Sequence, residues 1–168
     1  MTIIGIDPDL EKSGCCIINN RGELSLHSLS FSQVIDLLGE QNKDDTIVLI
    51  EAGWLNKSNW HLHPTYNNLA SDIRKAAKIG ERIGQNQAVG MKLLEMAKHL
   101  GLDAIEVKPL PKCWRGPNKK ITHEEFCKVT GYAQKRSNQD ERDAGLIAWR
   151  WYESNELNKK ILLNLRKR

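Results

Sequence analysis

Four carboxylates stand where an α/β fold would bring acidic side chains together. Asp7 directly follows one short apolar run and Glu51 directly follows another, so each acid comes where a buried strand ends. Asp140 and Asp143 are three residues apart at the start of the last long helical pattern, which places both on one helix face. Because strand ends in open α/β sheets bind ligands, and because hard oxygen ligands suit Mg²⁺ or Mn²⁺, these residues predict a divalent-metal site.

The chemistry that such a site favours is phosphodiester cleavage. Two ions about 4 Å apart can activate water and stabilise the leaving oxygen if carboxylates bridge and flank them. Each acid also has an ordinary structural interpretation: Asp7 as a turn former, Glu51 as a loop residue, Asp140 as the partner of a Ser137 helix cap, and Asp143 in a surface salt bridge. The joint pattern favours a metal-dependent nuclease. The helix N-terminus should favour the ionised form of Asp140.

The elements that must position these acids follow from apolar periodicity and turn residues. The predicted strands are 2–7, 13–19, 22–29, 46–50 and 103–107. Four helices are predicted. The first begins at Ser30 or Ser32, and the second covers about 68–99. The third runs from a Thr122 capping box to near Gly131, and the fourth runs from a cap at Ser137 or Asn138 to about Glu153. The first three strands are joined by short turns, which predicts an antiparallel meander, and the helix after them is a crossover.

Two segments between these elements are less regular. Residues 52–67 keep no apolar period, which predicts a functional or mobile loop. Gly80, Gly84 and Gly90 weaken the 68–99 helix and could kink or split it. The same glycines allow close packing of a neighbouring element, an interpretation that we favour over a phosphate cradle.

Composition limits the class of protein. The 168 residues fit one domain, 1–168, and the formal charge of +4 is a weak indication of an anionic partner. The four cysteines lack zinc-site spacing and are expected to be reduced thiols. His61 and His63 have no third partner at a suitable spacing, so solvent or DNA contact is favoured over zinc ligation. With no signal peptide or long apolar run, we expect a soluble, cytoplasmic protein.

The order of these motifs resembles RuvC, the Holliday junction resolvase family of the RNase H-like superfamily. The resemblance covers nearly the whole chain and rests on Gly5-Ile6-Asp7-Pro8, Gly14, Glu51 and Asp140-x-x-Asp143-Ala144. It implies an RNase H-like α/β fold, with a mixed five-stranded sheet whose first three strands are antiparallel and which is flanked by helices. It also implies a homodimer that nicks two strands of a four-way DNA junction symmetrically, with two Mg²⁺ per site that Mn²⁺ could replace.

Further positions extend the resemblance to the DNA surface. Trp54 corresponds to an aromatic residue that wedges into the junction centre, and Lys108 with Lys119 or Lys120 corresponds to two lysines at or near the scissile phosphates. An aromatic residue beside Lys57 and Lys112 is also what base stacking and phosphate contact require. The expected DNA-binding residues are Trp54, Lys57, Lys108, Lys112, Lys119 and Lys120, and the expected catalytic residues are Asp7, Glu51, Asp140, Asp143, Lys119 and Lys120. A core anchor remains an alternative for Trp54.

Some features depart from the family pattern or allow other functions. Asp9 stands where the family usually has glycine and could add a carboxylate near the metals, and 56–67 resembles an insertion, as in a phage-type or divergent member. The opening Gly5-Ile6-Asp7 also begins actin-like ATPases, but the length and the lack of a later phosphate loop disfavour that class. The alternatives that stay open are an RNase H-like nuclease for a flap, duplex or RNA/DNA hybrid, and a non-catalytic module that binds branched DNA.

Overall fold

The computed structural model describes the backbone of residues 1–56 and 69–165 and the side chains of 1–56 and 71–156. Lys57, His61 and His63 lie outside the described residues. The strands are β1 (Thr2–Asp7), β2 (Ser13–Ile18), β3 (Leu24–Leu29), β4 (Thr46–Glu51) and β5 (Asp103–Val107). The helices are α1 (Phe31–Gly39), α2 (Leu69–His99), α3 (His123–Thr130) and α4 (Gln139–Leu165).

The five strands form one mixed sheet in the order β3-β2-β1-β4-β5. β1 pairs antiparallel with β2, and β2 pairs antiparallel with β3, while β4 lies parallel to both β1 and β5. This arrangement confirms the predicted α/β class and the antiparallel first three strands. In the parallel pair, Ile6 lies opposite Ile50, so the acids that follow them meet at the same edge of the sheet.

Helices cover both faces of the sheet, because successive residues of a strand point to opposite faces. Ile4, Ile6, Val48 and Ile50 belong to the apolar core that also contains Leu93 of α2. The alternate residues of the same strands join a second core with α4, made of Ile3, Leu49, Ala144, Ile147 and Ala148 among others. The result is a three-layer arrangement in which α4 lies directly against the strands that carry the acids.

The long helices differ from the sequence expectation. α2 continues through Gly80 and Gly84, whose positions face open space, while Gly90 lies against Trp54 and Pro8, so close packing explains only the last glycine. α4 continues to Leu165, where we expected an end near Glu153. The physical reason is that no glycine or proline follows Gly145, and the Ser154 hydroxyl is satisfied within the helix by donating to the carbonyl oxygen of Arg150.

Two smaller expectations can be compared with the structure. The four cysteines are free thiols, with Cys15 and Cys16 buried in β2, as predicted. Within the described ranges, no helix combines the length and the apolar character needed to span a bilayer.

Candidate metal centre

Two of the four acids lie at the ends of strands in the sheet. Asp7 is the last residue of β1 and Glu51 the last residue of β4, and the parallel register of these strands brings their carboxyl ends side by side. Both runs are rich in β-branched residues that fit a pleated, buried strand. Each strand is buried along its central residues and becomes half-buried at its acid, so both carboxylates lie at the margin of the core.

The other two acids lie at the start of α4. The first turn of this helix is closed by a reciprocal cap, in which the Glu141 backbone N–H donates to Asn138 Oδ1 at 2.8 Å and the Asn138 N–H donates to Glu141 Oε2 at 2.8 Å. The acid in the cap is therefore Glu141. The structural interpretation of Asp140 as the partner of a Ser137 cap was wrong, and the Asp140 side chain is left to face the sheet edge.

The close approach of α4 to the sheet requires two glycines. A Cβ atom on Gly14 of β2 would lie 2.1 Å from the Asp140 carbonyl oxygen, and one on Gly5 of β1 would lie 2.3 Å from that of Ala144. Any side chain at these positions would push the helix away from the strands. The two glycines thus set the distance between the α4 acids and those at the strand ends.

The acids form a compact cluster at this junction. Asp7, Asp140 and Asp143 each offer a carboxylate oxygen, and the three oxygens lie within 4.8 Å of one another. Glu51 is outside this tight group, but its charge raises the pKa of Asp7, so it lies alongside. Three carboxylate oxygens at this spacing, from the end of β1 and the start of α4, fit a hard divalent cation.

The electrostatics of the cluster favour a bound cation. Burial raises the pKa of Asp7 well above its usual value, and the charges of Glu51, Asp143 and Asp140 raise it further. Burial and the charge of Asp143 also raise the pKa of Glu51, although Lys120 and Lys112 oppose this. Because the carboxylates repel one another in a partly dry site, added positive charge would stabilise their ionised forms.

Asp140 does not follow the helix-dipole expectation. Its pKa is raised, chiefly because burial disfavours the charged form, although Lys120 opposes the shift. We expected the helix N-terminus to favour the ionised form. Burial is the largest cause of the shift, so the pKa of Asp140 moves in the direction opposite to the one that a helix N-terminus alone would give.

Among the residues with described side chains, Lys120 is the cation in direct contact with the cluster. Its Nζ lies 2.8 Å from Asp143 Oδ2, and the two side chains are 31% and 20% exposed. Burial alone would lower the pKa of Lys120, but the hydrogen bond to Asp143 and the nearby charges of Asp7 and Asp140 outweigh it and raise the pKa. Lys120 is therefore an ammonium group held at the edge of the acids.

The segment before α3 holds Lys120 in place and turns Lys119 away. The Lys120 N–H donates to the Pro117 carbonyl oxygen at 3.0 Å, and the Trp114 N–H donates to that of Lys119 at 3.1 Å. Lys119 has a positive φ of 58° and is exposed. The two lysines, equivalent by sequence, thus differ in position: Lys120 contacts the acids and Lys119 lies at the rim.

A groove of about 520 Å³ begins at the acids and runs between α2 and the chain after β5. Its lining includes Asp7, Glu51, Trp54, Asn86 and Lys112. A second, smaller groove contains Glu51, Lys112, Lys119, Lys120 and Asp143, so Lys112 lines both. Lys108 is exposed directly after β5 and is not part of either lining within the described residues. Lys57, the remaining lysine of the predicted DNA-binding set, lies outside the described residues.

Trp54 is placed at the boundary between groove and core. Its indole N–H donates to Glu106 Oε1 at 2.9 Å, and its ring packs against the core beside Gly90. These contacts fit the alternative in which Trp54 anchors the core, and its place in the groove lining leaves one side accessible. A wedge role stays a prediction.

The Asp9 side chain is hydrogen-bonded to a residue outside the acidic cluster. Its Oδ2 accepts a hydrogen bond from Asn86 Nδ2 at 3.0 Å, and Asn86 Oδ1 in turn accepts from the Leu10 N–H at 3.1 Å. This exchange fastens the β1–β2 turn to α2. Asp9 is not a member of the metal-binding group among the described residues, although its charge contributes to raising the pKa of Asp140.

Comparisons with known proteins give distant likenesses in structure. No protein-family model matches the sequence, and no curated protein matches it. Solved structures that are similar include a Thermus thermophilus RuvC in complex with a Holliday junction substrate, with a TM-score of 0.47, 13% identity, and coverage of 88% of this chain and 90% of that one. Another Thermus thermophilus RuvC structure has a TM-score of 0.43, 14% identity, and coverage of 88% and 91%. At this structural distance the function must be argued from the site itself.

Two residues around the site were not predicted. Gln139 Nε2 donates to Asp143 Oδ1 at 2.8 Å, and Arg142 Nη2 donates to Gln139 Oε1 at 3.0 Å. The four-residue spacing of Gln139 and Asp143 on a helix is a signal that could have indicated the first contact. The contacts of Arg142 with residues before α4 have no such signal, because they depend on how distant segments pack.

Proposed function

We propose that this chain is a divalent-metal-dependent endonuclease that resolves four-way DNA junctions. The observation that carries the proposal is the convergence of Asp7, Asp140 and Asp143 within 4.8 Å, with Glu51 alongside and Lys120 in contact. Acidic side chains brought from two strand ends and a helix start, beside a groove and a lysine, suit cleavage of a phosphodiester better than a purely structural role.

The acids would hold the metal. Asp7, Asp140 and Asp143 supply the closest oxygens and Glu51 a further one, which suits Mg²⁺, with Mn²⁺ as a substitute. When bound, two such ions would supply activation of water and stabilisation of the leaving oxygen. The four carboxyl groups outnumber the Lys120 ammonium group that contacts them, so bound divalent ions would offset the remaining negative charge.

The chain's own residues would orient the substrate and offset its charge. Lys120 is held by Asp143 at the edge of the cluster, so a phosphate placed over the acids would come within reach of its ammonium group. Lys112 lines both grooves and Lys119 lines the smaller one, and both would contact neighbouring phosphates. Lys108 is proposed as a more peripheral contact. Mutating these peripheral lysines should weaken binding more than it slows the chemistry.

The four-way junction as substrate is proposed from the sequence resemblance. The described residues of one chain hold one such cluster, so we propose that paired symmetric nicks are made by two copies in a homodimer. Trp54 is the candidate for stacking at the junction centre, in addition to its packing on the core. The mild positive charge supports binding to nucleic acid without selecting its form.

A panel of labelled substrates tests the proposal. A mobile four-way junction, a flap, a linear duplex and an RNA/DNA hybrid are incubated with excess enzyme in Mg²⁺ or chelator. We expect paired nicks in the junction alone, and light scattering should give two copies per junction. Cleavage of the hybrid, flap or duplex instead would keep the metal site and reject the substrate. Binding of the junction without cleavage in either Mg²⁺ or Mn²⁺ would reject the enzyme.

A further inference from the structure

Arg142 uses its guanidinium group to join two chain segments beside the acidic cluster. Nε–H donates to the Ile121 carbonyl oxygen at 3.1 Å, and Nη1 donates to the Ser137 carbonyl oxygen and, at 3.2 Å, to its hydroxyl. Nη2 donates to Gln139 Oε1 at 3.0 Å. One side chain therefore fastens the chain after Lys120 to the residues that begin α4.

These contacts close a ring with the ion pair of the site. Lys120 contacts one oxygen of Asp143, and Gln139 contacts the other. Gln139 is held by Arg142, and Arg142 is bonded to Ile121, which directly follows Lys120 in the chain. Both oxygens of Asp143 thus receive a donor whose position depends on Arg142, and each retains lone pairs for a metal.

The chemistry of the contacts indicates a geometric role. All four oxygens bonded by the guanidinium are neutral: two carbonyls, one hydroxyl and one amide. A planar guanidinium presents its donors in fixed directions, whereas lysine offers a compact ammonium on a flexible stem. A lysine at this position would keep the charge and lose the simultaneous contacts.

We propose that Arg142 is a positioning residue that fixes Lys120 and Asp143 relative to each other for metal binding and cleavage. The proposal rests on the proposed function and states how the relative positions of Lys120 and Asp143 in that site are maintained. Such outer contacts commonly matter, because groups that orient metal ligands affect metal affinity or activity by about 10- to 100-fold.

The first test does not require activity. Wild type, Arg142→Lys and the control Arg150→Lys, which changes an exposed arginine on the same helix, are treated with an amine-acylating reagent. Mass spectrometry then compares labelling of Lys120 with labelling of the exposed Lys119. We expect the Lys120-to-Lys119 ratio to rise about fivefold in Arg142→Lys, the size expected for loss of a partly exposed ion pair. Arg150→Lys should keep the wild-type ratio.

The second test measures the consequence for the site. In single-turnover cleavage of the junction at saturating DNA, Arg142→Lys should be slower by about 10- to 100-fold and should need more Mg²⁺ for half-maximal rate. Junction affinity without metal should stay within about twofold, because Arg142 contacts only protein groups. Gln139→Ala should raise the Mg²⁺ requirement while leaving the Lys120 labelling ratio unchanged.

The outcomes separate the two proposals. A folded Arg142→Lys with the wild-type labelling ratio and Mg²⁺ requirement would overturn the positioning role. If wild type cleaves nothing, the proposed function fails, and the labelling ratio still decides whether Arg142 fixes Lys120. If Arg142→Lys does not fold, Gln139→Ala decides: an unchanged Mg²⁺ requirement in that variant would overturn the proposal.

Discussion

The ammonium nitrogen of Lys120 lies 2.8 Å from Asp143 Oδ2, which joins the segment before α3 to the first turn of α4. Two chain segments that are 23 residues apart thereby meet at the acidic cluster. The contact places a permanent positive charge beside the carboxylates, and the neighbouring Lys119 lacks this placement because its backbone turns it outward.

The two adjacent lysines should differ in their effect on cleavage. Lys120→Gln is expected to lower the single-turnover rate by about 10²- to 10³-fold, because it removes a fixed charge where negative charge develops. Lys119→Gln, the matched control, should instead weaken junction binding by a few-fold and reduce its salt dependence. Rates at saturating DNA and gel-shift affinities separate these effects. Equal rate losses in both variants would contradict the assignment of Lys120.

Removing one acid should stabilise the metal-free protein in a pH-dependent way. The raised pKa of Asp7 means that the folded state holds its proton more tightly than the unfolded state. The stability that this gives is present below the ordinary aspartate pKa and is lost as pH rises through the folded value. In chelator, Asp7→Asn should therefore gain thermal stability over wild type as pH rises from about 4 to 8. A difference that shrinks with pH would contradict the electrostatic description.

Divalent metal should stabilise the wild type more than a variant that lacks one of the clustered carboxylates. Mg²⁺ or Mn²⁺ that binds only the folded wild type stabilises it by about 2.7 kcal/mol at 100 times the dissociation constant. Asp140→Asn should show a much smaller rise in melting temperature, because it replaces one of the three clustered carboxylates with a neutral amide. Asp9→Asn is the control, since Asp9 is bonded to Asn86 outside the cluster, and it should respond as wild type does. An equal response of Asp140→Asn would place the metal elsewhere.

The glycine contact between β2 and α4 should be intolerant of a methyl group. Gly14→Ala would place its Cβ 2.1 Å from the Asp140 carbonyl oxygen, so the helix start must move. We expect a loss of about 1–3 kcal/mol in unfolding free energy and a weaker metal response. Gly84→Ala on α2, where nothing lies within 4 Å, should be neutral or stabilising by up to about 1 kcal/mol. Urea denaturation measures both, and a neutral Gly14→Ala would contradict the packing.

Trp54 should contribute to stability whatever its role on DNA. Its indole packs on the core and donates to Glu106, so Trp54→Ala is expected to lower the unfolding free energy by about 3 kcal/mol or more. Trp54→Phe should recover much of this loss while removing the hydrogen bond. If Trp54→Phe folds well and resolves junctions at the wild-type rate, an aromatic ring at this position is sufficient for junction resolution and the indole N–H is not needed. An Ala variant of wild-type stability would exclude the anchor.

Much of the site could be predicted because it depends on where strands and helices begin and end. Asp7 and Glu51 follow apolar runs, and the parallel pairing of those strands brings both acids to one edge. Asp140 and Asp143 share a helix face by spacing alone. These relationships are local in sequence or follow from strand order, so periodicity is enough to find them.

The remaining features depend on packing between distant segments. Burial is the largest cause of the raised pKa of Asp140, and periodicity does not report how deeply a helix start is buried. The contacts of Arg142 with Ile121 and Ser137 require the loop before α3 to be in its final position. Likewise, Lys119 is exposed and has a positive φ whereas Lys120 contacts Asp143, and nothing in the residue types indicates this difference.

Metal-dependent nicking of a labelled four-way junction by wild type, Asp7→Asn, Asp143→Asn and the control Asp9→Asn is the decisive measurement. In Mg²⁺, wild type and Asp9→Asn should make paired nicks at similar rates. Asp7→Asn and Asp143→Asn should lose cleavage by at least about 10³-fold while still binding the junction. Chelator should abolish cleavage by all four proteins. Full cleavage by either cluster variant, or cleavage by wild type in chelator, would contradict a metal-dependent nuclease site at these carboxylates.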